Sequence, residues 1–400
     1  MKNLKAQFKL IIYLFLFLHT FNISLAKNLD KFSNAKDISN YFSGVLSIND
    51  NQYKKSYSYL KKLNNLEDSH HRYSQHYQYS LISLKKFRDA AIYSQKLEDK
   101  KIDNFESNLI STVYHLQNKD MKNTLLNLQK LENKSQPGTI QNLLFSTLNT
   151  WVNLKNTPDL NSALILLEAT PERFEGIKKI QKTFAYCYFD SDQTDEAFRK
   201  LTSDNNVNYS RYLFFHINYL FSKNKENKVK KILESSLNLR PKNLMLNQLK
   251  VDLKKRKTFN NQFDCKNSKH VIAEIFYIVA NALTLQQNYL AANFYLNLAK
   301  YLNPNFISFE VLYAENFFVI NEYNEAKKIY QEIQKHGSIY SWYASKQITS
   351  ILIEQEEKIT AVSFLEKNFQ KITNPTIYET FDYAEFLKNN EKYKESIKYY

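Results

Sequence analysis

Three stretches of the chain align with one another without gaps: residues 51–63 (NQYKKSYSYLKKL), 85–97 (KKFRDAAIYSQKL) and 119–131 (KDMKNTLLNLQKL). In each, a bulky side chain at the third position is followed three positions later by a small one, and a leucine closes the stretch. The bulky residues recur every 34 positions, at Tyr53, Phe87 and Met121. A fixed period of this length indicates a repeat architecture, in which each unit is one supersecondary element that stacks on its neighbours.

The same period continues into the second half of the chain. Residues 288–304 (NYLAANFYLNLAKYLNP) and 322–333 (EYNEAKKIYQEI) repeat the pattern, with their small residues Ala292 and Ala326 again 34 apart. Further small residues recur at steps of 34 or 35, at Ala163, Ala197, Ala361 and Ser396. Repetition at a near-constant spacing is stronger evidence than helical periodicity in any single stretch.

The composition excludes folds that depend on many tight turns. The 400 residues include only 4 glycines and 6 prolines, while 43% are hydrophobic and 24% are charged. Glycine and proline punctuate turns and phosphate-binding loops, so a β-sandwich or a doubly wound α/β enzyme is not expected. The ordinary balance of apolar and charged residues argues against general disorder.

The repeated unit resembles the tetratricopeptide repeat (TPR) family. The copy that begins at Ala273 matches the family pattern at positions 8, 17, 20, 24, 27 and 32, with Ala280, Tyr289, Ala292, Leu296, Ala299 and Pro304. The resemblance implies an all-α fold, a right-handed superhelical solenoid of antiparallel helix pairs with about ten to eleven TPR-like repeats. Small residues at positions 8 and 20 let the helices approach closely, and Gly44 takes position 8 of the first copy.

The repeat pattern divides the chain into segments of different regularity. We predict a signal peptide at 1–26, a linker at 27–36, TPR-like repeats 1–3 at 37–141, degenerate repeats 4–6 at 142–241, an irregular helix and loop joint at 242–272, and further TPR-like repeats at 273–400. Tyr400 falls inside the second helix of its repeat, so we expect these residues to be the front part of a longer protein.

The first 26 residues have the three-part layout of an export signal. Three lysines precede an apolar run at 10–21, and Ser24 and Ala26 supply the small residues of a cleavage site. The apolar run is shorter than the ~20 residues that cross a bilayer as a helix. We therefore predict a cleaved signal and export to a bacterial periplasm; the alternative is an N-terminal anchor in the inner membrane.

The chain has two cysteines, Cys187 and Cys265. An oxidising compartment permits a disulfide, but two cysteines are not a disulfide framework, and no sequence signal places their Cα atoms close together. We expect one buried thiol and one loop thiol, and leave their pairing open.

No catalytic or cofactor motif stands in the sequence. It lacks the phosphate-binding loop, the dinucleotide fingerprint, the zinc-protease motif and the nucleophile elbow. The densest histidine group, His70, His71 and His76, does not have the i,i+4 spacing that puts two metal ligands on one helix face. We predict a non-enzymatic chain with no cofactor and no metal site.

The resemblance also assigns a candidate binding surface, because the first helix of each TPR unit lines the concave groove. In the C-terminal repeats the candidates mix aromatic, polar and charged side chains: Glu274, Tyr277, Asn281, Glu315, Phe318, Tyr343, Lys346, Tyr378 and Phe381. Such a surface suits an extended peptide or a partner helix. The N-terminal groove is more apolar and could hold a partner segment or the chain's own N-terminal tail; its candidates are Ile38, Tyr41, Val45, Gln75, Tyr79, Ile82, Leu109, Val113 and Leu116.

The chain is strongly basic, with a formal net charge of +15. Its densest basic stretch, residues 223–257, ends in a candidate patch of Lys254, Lys255, Arg256 and Lys257. Clusters of this kind steer acidic partners, so peripheral contact with an anionic envelope polymer or lipid surface is one hypothesis. Nucleic acid is not expected as a partner of an exported protein.

Three functions follow from these observations. The first is a non-enzymatic periplasmic scaffold that binds a protein or peptide partner in its concave groove, in cell-envelope biogenesis. The second is the regulatory or substrate-presenting arm of a larger enzyme whose catalytic domain lies beyond Tyr400. The third is an electrostatic binder of an anionic envelope surface through residues 223–257.

Overall fold

The structure is a computed structural model that describes residues 35–63, 65–154, 159–203, 210–255 and 262–400. The predicted signal peptide at 1–26 and most of the predicted linker at 27–36 lie outside these ranges. Within them the chain forms twenty-one α-helices and no β-strand, which confirms the all-α fold class.

The helices have the following bounds. The first seven are α1 (Ala35–Asn49), α2 (Tyr53–Leu60), α3 (His71–Ser83), α4 (Phe87–Asp99), α5 (Phe105–Gln117), α6 (Met121–Asn133) and α7 (Ile140–Asn153). The next six are α8 (Leu160–Leu167), α9 (Glu175–Tyr188), α10 (Thr194–Thr202), α11 (Ser210–Ser222), α12 (Glu226–Leu239) and α13 (Leu244–Lys254). The last eight are α14 (Ser268–Leu285), α15 (Tyr289–Leu302), α16 (Ile307–Val319), α17 (Tyr323–Ile333), α18 (Ser338–Glu354), α19 (Lys358–Phe369), α20 (Ile377–Asn389) and α21 (Tyr393–Ser396).

Consecutive helices pack as pairs, and the small residues of the 34-residue pattern lie where the helices of a pair meet. Among the described helices, α1 to α12 form six such pairs and α14 to α21 form four more. Helix α13 belongs to no pair and packs on α12 and α18. The small residues are at most 2% exposed at Ser56, Ala90, Thr124, Ala163, Ala292, Ala326, Ala361 and Ser396. Ala197, in the degenerate part, is only partly buried. The stacked helix pairs predicted from the repeat are thus confirmed.

Gly44 shows why the packing positions need small side chains. A Cβ atom added to Gly44 would lie 2.5 Å from Cδ2 of Leu60, which is too close for any real contact. Leu60 is fully buried and belongs to α2, the partner of the helix that carries Gly44. Helix α1 can therefore approach α2 this closely only with glycine at the crossing point.

The turns inside nine of the ten pairs explain how so few glycines suffice; the turn between α7 and α8 lies outside the described residues. After α3, Lys85 has φ +60°, the backbone N–H of Lys86 donates to the carbonyl of Leu81, and that of Lys85 donates to Ile82. This is the Schellman helix end, in which glycine is the usual left-handed residue. The same left-handed position recurs with the repeat period at Asn51, Lys85, Lys119, Asp190, Asn224, Gln287, Asn321, Glu356 and Glu391. Polar non-glycine residues occupy all of these turns.

The helix pairs do not continue as one open solenoid, because the chain folds back on itself after α13. Helix α14 packs on α7. Helix α15 packs on α3 and α5, which lie more than 170 residues before it in the sequence. The ring of Phe294 stacks on Tyr79 with 4.6 Å between centroids, and Tyr301 stacks on Phe87 at 3.9 Å. Helix α15 therefore covers the first helices α3 and α5 of the N-terminal repeats.

This arrangement corrects the expectation for the N-terminal groove. Tyr79, Leu109 and Val113 are buried, and the chain's own α15 packs on α3 and α5, the helices that carry them, whereas Ile38 of α1 is 41% exposed. Apolar residues on the first helices are typical of a groove, but they are equally typical of a surface that another part of the chain covers. Only the long-range packing distinguishes the two.

The expectation of two separate thiols is wrong. Cys187, in the last turn of α9, and Cys265, just before α14, form a disulfide with a Cα–Cα distance of 6.0 Å. Phe263, two residues from Cys265, stacks on Phe215 of α11 with 3.9 Å between ring centroids. The fold-back thus places the segment before α14 against α9 and α11, and this contact brings together two cysteines that lie 78 residues apart.

Candidate partner-binding groove

The predicted groove residues of the C-terminal repeats lie on four first helices: α14, α16, α18 and α20. We call this surface the C-terminal groove and define it by Glu274, Tyr277, Asn281, Glu315, Phe318, Tyr343, Lys346, Tyr378 and Phe381. Each of these helices pairs through a buried alanine or serine on its second helix, so its opposite side faces away from the pair interface.

A cavity of about 480 Å³ opens at the beginning of this groove. Four predicted residues line it, namely Glu274, Tyr277, Asn281 and Glu315. The other walls come from α11, from the start of α13 and from Tyr340 of α18. The structure therefore brings together predicted residues from two repeats with residues that the sequence analysis did not assign.

Glu274 is committed to an internal ion pair and does not face a partner, which corrects its prediction as a contact residue. Its side chain is 0% exposed, and its two oxygens accept hydrogen bonds from Nε and Nη2 of Arg211 at 2.7 to 2.9 Å. The hydroxyl of Tyr212 adds a third bond at 3.3 Å. Burial raises the pKa of the Glu274 carboxyl, and the guanidinium of Arg211 opposes this shift.

The guanidinium of Arg211 is also held between aromatic rings. Its central carbon lies 3.7 Å from the ring centroid of Tyr277 and 4.3 Å from that of Phe306. Rings in these positions attract the cation through their negatively charged faces. Burial raises the pKa of Tyr277, with Arg211 acting in the opposite direction, so Tyr277 is a neutral wall of the cavity at ordinary pH.

Of the remaining groove residues, some form hydrogen bonds or ion pairs within the chain, and others are exposed to solvent. The Tyr343 hydroxyl donates to Oε1 of Glu315 at 2.7 Å, and Lys346 forms an ion pair with Asp382 of the next first helix. Phe318 is partly buried against the core. Tyr378 and Phe381, in contrast, are 44% and 50% exposed, so the far end of the groove presents two open aromatic rings.

Arg211 is the central residue of the cavity that sequence reasoning missed. It lies near the start of α11, outside the first helices of the C-terminal repeats, and reaches the cavity only because the fold-back brings α14 beside α11. One signal was available: this arginine precedes the aromatic-rich run YLFFHINYLF at 212–221. A charged residue beside such a run requires a buried counter-charge or exposure to solvent.

The candidate basic patch is only partly described. Lys254 and Lys255 are exposed, whereas Arg256 and Lys257 lie outside the described residues. Other lysines of the stretch are already paired: Lys223 with Asp190, and Lys228 with Asp195 at 2.6 Å. Acidic residues of α10 and of the turn before it thus neutralise part of the charge that the sequence concentrates at 223–257.

Two further properties concern the part of the chain that the structure describes. It contains no group of three or more His, Cys, Asp or Glu side chains arranged to hold a metal ion. Likewise, none of the described helices combines the length and the apolar character needed to cross a bilayer.

Comparison with known proteins gives structural likeness alone. No family model matches the chain, and no curated protein matches it. Among solved structures, yeast Tom70 shares 14% identity, with 90% of this chain and 96% of that chain covered and a TM-score of 0.26. The Cut9–Hcn1 hetero-tetramer of the APC/C shares 13% identity, with 91% of this chain and 78% of that chain covered and a TM-score of 0.34. The human IFIT1 dimer with PPP-AAAA shares 14% identity, with 94% of this chain and 91% of that chain covered and a TM-score of 0.27.

These structures are TPR-type helical repeat proteins. The likeness extends along nearly the whole chain, but the TM-scores are low. The helix-pair architecture therefore rests on the packing of this chain's own repeats.

Proposed function

We propose that this protein is a non-enzymatic scaffold that binds a protein or peptide partner in the C-terminal groove. The observation that carries the proposal is the contrast between the two grooves. Helix α15 covers the first helices α3 and α5 of the N-terminal repeats, whereas the C-terminal groove contains an open cavity at one end and two exposed aromatic rings at the other.

The chemistry of the C-terminal groove suits a protein segment. Aromatic side chains provide large contact areas at low entropic cost, and they dominate the energetics of protein interfaces. Tyr378 and Phe381 supply such anchors, and Asn281 places an exposed amide at the edge of the cavity, where it can bond a peptide backbone. Apolar anchors separated by polar groups are the recognition pattern of grooves that bind an extended strand or a helix.

We further propose that the protein is exported to a bacterial periplasm and acts in envelope biogenesis. Two observations support export. The first 26 residues have the layout of a cleaved signal, and Cys187 and Cys265 are paired. Disulfides persist in oxidising compartments such as the periplasm and are rare in the cytosol.

The binding role is tested by site-specific photo-crosslinking in the cells that make the protein. A photoreactive residue is placed at Asn281, in the groove, and as a matched control at Ile92, which is 60% exposed on the second helix α4. We expect a crosslinked partner from position 281 that is lost in a Phe381→Ala variant, and no such product from position 92. Equal products from both positions, or none from the groove, would contradict the proposal.

Export is tested separately by cell fractionation and N-terminal sequencing. A periplasmic protein that begins at Lys27 agrees with the proposal. A full-length product in the membrane fraction would instead support the N-terminal anchor, and a cytosolic product with free thiols would contradict export.

A further inference from the structure

The cavity of the C-terminal groove carries one charge that no residue in the described part of the chain balances. Its charged lining residues are Arg211, Glu274 and Glu315. Arg211 and Glu274 neutralise each other in their bidentate pair. Within the described part of the chain, Glu315 takes part in no ion pair, and the polar contact that it makes is with the neutral hydroxyl of Tyr343. The cavity lining therefore has a net charge of −1.

Glu315 stands at the mouth of the cavity. Solvent reaches its side chain, yet the surrounding helices desolvate the carboxylate enough to raise its pKa, and the hydrogen bond from Tyr343 only partly opposes this shift. A carboxylate that lines a cavity and has no cationic partner attracts a cation that enters beside it.

The rest of the lining suits a long aliphatic side chain that ends in a charge. Five apolar side chains line the cavity, Leu244, Met245, Ile278, Val311 and Leu312. Lysine and arginine bury their methylene stems along such surfaces while the charged group remains at a polar site. Acidic side chains suit this cavity less well, since each would face Glu315 while Arg211, the cationic group of the lining, is already paired with Glu274.

We propose that the partner segment inserts one lysine or arginine side chain into this cavity, with its charged group paired to Glu315. This inference rests on the proposed function, because it names the chemistry of the segment that the groove binds. The whole chain has a charge of +15, so its field repels segments with many basic residues. The partner segment is therefore expected to carry a single basic residue among neutral or acidic ones.

The probe is a phage-displayed library of random peptides, selected on the purified protein. We expect the recovered peptides to be enriched in one lysine or arginine relative to the input library. For a recovered peptide, replacing this residue by norleucine, which keeps the stem and removes the charge, is expected to weaken binding at least about tenfold. Libraries with only lysine or only arginine distinguish the two cations.

Glu315→Gln is the decisive variant, and Glu354→Gln is its matched control. Glu354 is also exposed and ends α18, outside the cavity. We expect Glu315→Gln to abolish the preference for a basic residue, at an unchanged thermal midpoint, and Glu354→Gln to retain it. The norleucine peptide should bind wild type and Glu315→Gln alike.

The outcomes separate this inference from the proposed function. Peptides that depend on Phe381 but show no basic preference, or a preference that persists in Glu315→Gln, would overturn the inference and leave the groove function intact. Absence of any peptide whose binding depends on Phe381 would overturn both.

Discussion

The side-chain amide of Asn293 donates a hydrogen bond to the hydroxyl of Tyr53 at 3.1 Å, between two residues that lie 240 positions apart in the chain. Tyr53 in turn donates to Asn51 at 2.8 Å, and the amide of Asn316 donates to Asn293 at 2.8 Å. All four side chains are buried. This polar chain joins α2 and its turn to α15 and α16, so it links the first repeat to the part of the chain that covers α3 and α5.

Replacing Asn293 by alanine should strongly destabilise the folded protein. The change removes the donor to the Tyr53 hydroxyl, which keeps its bond to Asn51, and leaves the Asn316 amide without its Asn293 acceptor in a buried site. We expect a loss of about 2–3 kcal/mol in the free energy of unfolding, measured by chemical denaturation. Asn305→Ala is the control, because Asn305 is exposed, and should change stability by less than about 0.5 kcal/mol. Equal effects of the two substitutions would show that the polar chain does not stabilise the fold-back.

Breaking the Cys187–Cys265 disulfide should lower stability by about 4 kcal/mol on the chain-entropy model, because the bond closes a 78-residue loop in the unfolded chain. The measurement compares the denaturation midpoints of the oxidised protein, the reduced protein and the Cys187→Ala/Cys265→Ala variant. The reduced protein and the Cys187→Ala/Cys265→Ala variant should have the same denaturation midpoint. A variant as stable as the oxidised protein would contradict the prediction.

The Arg211–Glu274 pair should be more sensitive to losing one member than to losing both. Arg211→Met leaves a fully buried carboxylate without a partner, and we expect a loss of about 3–5 kcal/mol in unfolding free energy. Arg211→Met/Glu274→Leu removes both charges and should recover most of this loss. The exposed pair Lys335–Glu332 is the control, and Lys335→Met should change stability by less than about 1 kcal/mol.

A glycine at a left-handed turn position should stabilise the protein. Glu356 has φ +63° between α18 and α19, a conformation that carries a steric penalty of about 1–2 kcal/mol for residues with a Cβ atom. Glu356→Gly removes this penalty at some cost in unfolded-state entropy, so we expect a net gain of about 0.5–1 kcal/mol. Glu354→Gly, at the last helical residue of α18, should instead destabilise the protein, by less than the roughly 1 kcal/mol of a helix-interior position. Heat denaturation of the two variants should therefore show opposite shifts.

Stability should decrease as the pH falls below about 6.5, the usual pKa of histidine. Burial lowers the pKa of His216, although the adjacent Asp195 opposes the shift with a 2.7 Å contact, and burial likewise lowers the pKa values of His76 and His270. Between the lowered pKa and 6.5 the unfolded chain binds protons that the folded chain does not, so acid favours unfolding.

The contribution of His216 is measured by replacing it with glutamine, which does not titrate. The slope of unfolding free energy against pH should become smaller in His216→Gln between about pH 6.5 and 5, by at most about 1.4 kcal/mol per pH unit. An unchanged slope in His216→Gln would mean that this histidine titrates alike in the folded and unfolded chains.

The repeat and its helix pairs could be predicted from the sequence because they are local. The small residues that recur from Ser56 to Ser396 mark the closest approach of two helices that are adjacent in sequence, and nearly all of them are buried as the period predicts. The positions of the helices in the C-terminal repeats follow from the same pattern, while the assignment of residues on their first helices to a partner-binding groove stays a prediction.

Only the tertiary structure decided how the repeats are arranged and which groove stays open. The contact of Asn293 with Tyr53, the pairing of Cys187 with Cys265 and the closure of α15 on α3 depend on where the chain reverses after α13. Such contacts join residues far apart in sequence, and an apolar first helix has the same pattern whether a partner or the chain itself covers it. The periodicity of the amino acids therefore determined the repeated helix pair. Long-range packing determined that α15 covers α3 and α5, and that Arg211 pairs with Glu274 in the cavity that Glu315 also lines.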